Sequence, residues 1–247
     1  MDTRSEQCAL CLKVSVLRDS HIVSESFYAD LYEEPHRFSI VVADRKTKDR
    51  YAQKGIREPL LCHNCEQLIC NEYETYGALA FRRIKIAAKD QLKTFTFESL
   101  DYRRFKLFQL SQLWRMALAK HPLWQHVILP EPMLENLRNM LISGDPSTSD
   151  CYGVMMEAVV ASDNEFFDAF FPPITVLIGG YQFVLATFAG FSWYYCAHRV
   201  VTDLRLSKFF VATVGSIMVN VRGLKDAWHI QRIGDELESI DKLKIND

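Results

Sequence analysis

Two Cys-x2-Cys pairs near the amino terminus, apolar residues at helical spacing through the middle, and a glycine-punctuated run of β-branched and aromatic segments towards the carboxy terminus predict an α+β fold. The cysteine pairs set a small domain over residues 1–80. The other two features set a larger mixed domain over residues 81–247, with helices to about residue 143 and mainly antiparallel strands after it. A chain of 247 residues can bury such cores without disulfides.

In chain order, Val14, Val16 and the Ser20–Tyr32 run suggest a short hairpin around the first cysteine pair, with Phe27, Leu31 and Tyr32 opening a brief helix. Residues 33–54 hold Pro35 and the charged Asp44–Arg50 run, which reads as a solvated loop. Leu60 and Leu61 lead into the second pair, and Leu68, Ile69, Tyr73, Tyr76 and Ala80 recur at helical steps across Cys65–Phe81. Tyr102–His121 is expected to be a helix with Leu107, Leu110, Trp114, Ala117 and Leu118 inward and Arg103, Arg104, Lys106, Arg115 and Lys120 on a solvated side. Glu131–Ile142 is a second helix, with Pro132 at its start and Gly144 as its stop. Beyond a loop at residues 144–149, Tyr152–Val160, Ile174–Ile178, Tyr181–Phe188 and Phe191–Cys196 read as strands; Phe209–Val221 fits a strand or a helix. The charged Glu236–Asp247 segment reads as a fraying helix or tail.

The formal net charge is −2, so any nucleic-acid contact has to come from a local patch rather than a bulk cationic field. Pro172–Ala197 carries no Asp, Glu, Lys or Arg and is long enough on paper to span a bilayer. Its paired prolines, Gly179-Gly180, Gly190 and its Val, Thr, Phe and Tyr content fit buried strands and tight turns instead, so no stable membrane insertion is expected.

Cys8, Cys11, Cys62 and Cys65 form two knuckles about 50 residues apart, the ligand set of a tetrahedral structural zinc. Buried free thiols and disulfides are the other readings of the same residues. A knuckle, a hairpin and a second Cys-x2-Cys at a helix start is the treble-clef arrangement, in which the free N–H groups of the helix terminus help to hold thiolate charge. Cys70, Cys151 and Cys196 are left as buried thiols. Knuckles of this kind suit a reducing compartment, and the opening MDTRSEQ has no signal-peptide pattern, so a cytoplasmic location is expected.

Cys8-x2-Cys11, Ser20-His21-Ile22, Leu61-Cys62-x2-Cys65 and Glu66 resemble the HNH nucleases that carry four zinc cysteines around a ββα-metal site, over about the first 75 residues. The resemblance implies nucleic-acid cleavage, with His21 as general base and a catalytic magnesium or manganese ion held partly by Glu66. It departs from the family pattern in three places. Ser20 stands where an Asp or His ligand is usual, no Asn is found among Ile56-Arg57-Glu58-Pro59, and Glu66 follows the second pair in place of His or Asn. His21 also fits a structural role, as a zinc ligand or a hydrogen-bonded member of the hairpin. His63 is expected to be exposed, and Glu72 and Glu74 to be surface charges. The chain is also similar to bacterial proteins that join such a module to a segment of the Asp101–Arg115 kind, and related HNH proteins serve in restriction, mobile elements and phage defence. The alternative function is a catalytically inactive zinc module that binds nucleic acid or a protein partner. No Gly-rich phosphate loop, GxSxG elbow or HExxH is present.

Overall fold

The computed structural model describes residues 5–32, 38–40, 50–52, 54–161 and 165–239. Its fold is mixed helix and sheet, a small amino-terminal domain followed by a larger sheet and helix region. In the small domain β1 (Ser5–Gln7), β2 (Val14–His21), β3 (Phe38–Ile40), β4 (Arg50–Ala52) and β5 (Arg57–Cys62) give a three-stranded sheet of order β1-β2-β5 and a separate β3-β4 pair. The Asp44–Asp49 part of the charged run lies outside the described residues.

From Cys62 the chain enters a helix that is unbroken from residue 63 to residue 89. It comprises α1 (His63–Leu68), a π-helical stretch (Ile69–Glu74) and α2 (Thr75–Lys89). It is longer at both ends than the Cys65–Phe81 pattern suggests. The extended Cys62 supplies the entry, and apolar spacing continues through Ile84 and Ala88, both fully buried.

In the larger region β6 (Phe95–Phe97), α3 (Tyr102–Leu118), α4 (Glu131–Ser143), β7 (Val154–Val160), β8 (Phe171–Ile178), β9 (Tyr181–Phe188), β10 (Phe191–Cys196), α5 (Leu204–Ser207), β11 (Ile217–Gly223) and α6 (Trp228–Ser239) follow in order. The six-stranded sheet has the order β6-β11-β7-β10-β9-β8 and is antiparallel except for the β11–β7 pair. Pro172–Ala197 thus forms most of three strands, and among the described residues no helix is long and apolar enough to cross a membrane. Its two hairpin turns, Gly179-Gly180 and Ala189-Gly190, place both central residues at positive φ (58° and 84°; 55° and 78°), which the twist of a two-residue hairpin demands. Gly144 ends α4 in the left-handed conformation at φ 72°, as its position implies.

Two expectations are corrected by the packing of α3. The helix ends at Leu118, where Ala119 turns extended ahead of Pro122. Its basic side is not solvated as a whole: every residue from Phe105 to Met116 is buried, with Lys106 at 1% and Arg115 at 0% exposure. The helix runs through the interior, so each polar group on it needs a partner. The Lys106 ammonium donates to the Thr148 carbonyl and to the Tyr102 hydroxyl. Arg115 finds Glu74, which is consequently a half-buried ion-pair partner and not a free surface charge.

One cluster of buried apolar residues extends from Cys8 to Val219. Its centre is aromatic: the Phe27 ring lies 5.0 Å from Phe81, 4.8 Å from Phe188 and 5.3 Å from Trp193. The small domain, the long helix and the sheet thereby share one interior. Of the leftover thiols, Cys151 and Cys196 are buried as expected and Cys70 is only half-buried.

Candidate functional site

The first knuckle is a tight turn. The Leu12 N–H donates to the Cys8 carbonyl at 2.9 Å and the Cys8 N–H to the Lys13 carbonyl at 2.9 Å, with Leu12 held at φ 61°. Antiparallel pairing of β2 with β5, in which Leu17 faces Cys62, carries the second knuckle to the first. Cys62 caps the long helix and Cys65 sits in its first turn.

The Sγ atoms of Cys8, Cys11, Cys62 and Cys65 all lie within 4.8 Å of one another. All seven cysteines are free thiols, and Cys11 Sγ and Cys62 Sγ are 3.8 Å apart. That separation matches the edge of a tetrahedron of sulfurs at about 2.3 Å from a central ion, roughly 3.8 Å. The Cys62 N–H donates to Cys8 Sγ at 3.3 Å, the kind of backbone support that orients thiolate ligands. Burial raises the Cys8 thiol, but N–H donors from Cys11, Cys62 and Leu10 outweigh it and bring it down to about 7. Burial and the three neighbouring sulfurs push Cys65 up. Four sulfurs this close compete for protons, a conflict that a metal ion such as zinc resolves. The residues fit such an ion.

His21 ends β2, ten residues after Cys11. Its Nε2 lies 2.6 Å from Glu25 Oε2, and Arg57 Nη2 is 3.9 Å from the same oxygen. The Tyr32 hydroxyl donates to the other oxygen, Glu25 Oε1, at 2.5 Å. Arg115 fixes the strand from behind: Nη1 donates to the His21 carbonyl at 2.8 Å and Nη2 pairs with Glu74 at 2.6 Å. The His21 side chain is 19% exposed. Burial, then the Arg57 charge, lower its pKa against the opposite pull of Glu25 and Glu74, which favours the neutral imidazole.

Glu66 lies elsewhere. The Ser20 hydroxyl donates to Glu66 Oε2 at 2.5 Å, and successive strand residues such as Ser20 and His21 point to opposite faces. The structure therefore brings the four cysteines together and does not bring Glu66 to His21. Among the described residues, the four cysteines are the group in which three or more potential metal-ligating side chains converge. His63 is exposed as expected, with Nδ1 3.4 Å from Arg18 Nη2. Glu72 stays near the surface beside Arg103.

Sequence reasoning missed Glu25, Arg57, Tyr32 and Arg115 as neighbours of His21. Glu25 carries a signal in hindsight, four residues after His21 across one turn of chain. Arg115 carries none, because a basic residue in a helix ordinarily reads as solvated. No protein-family model, curated protein or solved structure matches this chain.

Proposed function

We propose that the amino-terminal domain is an HNH-like nuclease module stapled by one zinc ion on Cys8, Cys11, Cys62 and Cys65, with His21 as the general base for phosphodiester cleavage. The observation that carries this reading is the placement of His21. A part-exposed imidazole, its pKa lowered by burial, ends the strand that leaves the metal knuckle, with a carboxylate 2.6 Å from Nε2 and a buried arginine holding its backbone. A base works best when it is neutral at the working pH and fixed by a third group. Zinc has a structural part, as all four tetrahedral positions are filled by sulfur.

The family resemblance also implies a magnesium or manganese ion on Glu66. The residues do not fit it: Glu66 is taken by Ser20 and is turned away from His21. No step is routed through that ion.

A second reading, the inactive zinc module that binds nucleic acid or a protein, draws support from that same Ser20–Glu66 contact. The two part on one experiment. His21→Ala should reduce cleavage of DNA or RNA by about a hundredfold to ten-thousandfold, with zinc content and circular dichroism unchanged. If the wild-type protein cuts neither single- nor double-stranded DNA or RNA, with or without magnesium or manganese, and binds a partner equally well with His21→Ala, the binding-module reading replaces the nuclease.

A further inference from the structure

The β2–β5 register places His21 directly opposite Arg57 and Ser20 opposite Glu58. Residues opposed in an antiparallel pair share a face, and the next pair along shares the other. His21 and Arg57 thus form one face with Glu25 between them, while Ser20 and Glu66 occupy the reverse. The His21 face offers a base, a carboxylate on that base and a guanidinium, and no cluster of hard oxygen ligands among the described residues. Hydrolysis of DNA needs an activated water and strong charge compensation, which divalent ions commonly supply. RNA carries its own nucleophile, already placed beside the phosphorus, so a base and a cation suffice.

We propose that this site acts on RNA through the substrate's own 2′-hydroxyl, with His21 as base, Glu25 as the residue that orients it and Arg57 as the cation at the phosphate. The inference rests on the nuclease reading of His21. The ring nitrogen that faces Glu25 is Nε2, which is buried, so on a side chain that is 19% exposed it is Nδ1 that takes the proton from the 2′-hydroxyl. The 2′-oxygen bonds to phosphorus as the P–O5′ bond breaks. The departing 5′-oxygen keeps that bonding pair and is protonated by water, and His21 returns its proton to solvent. The products are a 2′,3′-cyclic phosphate and a 5′-hydroxyl; nothing is oxidised or reduced. Arg57, 30% exposed, offsets charge on the non-bridging oxygens.

The test uses the full zinc-loaded chain, freed of other divalent ions by desalting, on an RNA oligonucleotide and a DNA of the same sequence. The expected result is cleavage of RNA alone, without added magnesium or manganese, leaving 2′,3′-cyclic phosphate ends. Arg57→Gln should lower the rate by about a hundredfold to a thousandfold at unchanged zinc content. Glu25→Gln should lower the rate and move the acid limb of the pH profile to lower pH. The carboxylate favours protonated His21 against Arg57 from β5, while Glu74 from the π stretch and Arg115 from α3 remain in place. A merely structural role for Glu25 would depress the rate without moving that limb. Cleavage that needs magnesium or manganese, acts on DNA, or leaves 5′-phosphate ends overturns the RNA inference and leaves His21 standing as a nuclease base. Absence of cleavage of either substrate, with or without those ions, removes both.

Discussion

His229 shows how a single buried group sets a pH limit on this molecule. It is the second residue of α6, is 3% exposed, and its Nε2 lies 2.8 Å from the Ser192 hydroxyl of β10, while Nδ1 has no hydrogen-bond partner. Burial, then the Arg222 charge, lower its pKa to about 4, against 6.5 for a free imidazole. The unfolded chain therefore binds the proton first as pH falls, so the stability from neutral His229 is whole above about 6.5 and is lost progressively down to about 4. Chemical denaturation of the wild type across that window should show falling stability, and His229→Gln, which keeps a polar group towards Ser192, should flatten the slope. An unchanged slope in the variant would place the acid sensitivity elsewhere.

At the scale of elements, the strands were legible because β-branched and aromatic segments fall between glycine turns. Gly179-Gly180 marks its hairpin directly in the sequence. Helix α3 was legible in position but not in surroundings. Periodicity reports an apolar stripe, whereas Lys106, Gln109, Gln112 and Arg115 are buried by neighbours that no local pattern names. The crossing of α2 and α3 has a similar hidden condition at Gly77, where a Cβ would stand 2.1 Å from Phe108 Cγ. Alanine would favour the helix in isolation by about 1 kcal/mol, yet here it must push an aromatic ring out of a close-packed core, at a typical cost of about 1–3 kcal/mol. Gly77→Ala should thus lower the thermal midpoint by several degrees in calorimetry. A rise would mean that Phe108 has room to move.

At the scale of the whole molecule, the four-cysteine centre was the most legible feature, since ligand spacing is written along the chain while the partners of His21 arise only when β2, β5, the helix and α3 meet. Glu66 illustrates the limit: its place after the second knuckle suggests a part beside His21, but from α1 it meets Ser20, which strand pleating turns to the face opposite His21. The centre also reaches beyond the small domain, because Phe27 and Phe81 pack on Phe188 and Trp193 of the sheet in one continuous core. Loss of a metal bound there would therefore threaten more than the knuckles, to whose folding such binding would contribute on the order of 10 kcal/mol. The most direct measurement is elemental analysis together with X-ray absorption at the zinc edge on the purified chain. One zinc per chain, with four sulfurs at about 2.3 Å, and a Cys62→Ser variant that loses both the metal and the thermal transition, is the predicted result. Less than about half a zinc per chain without exposure to chelator, or a shell containing nitrogen or oxygen in place of a sulfur, would contradict it.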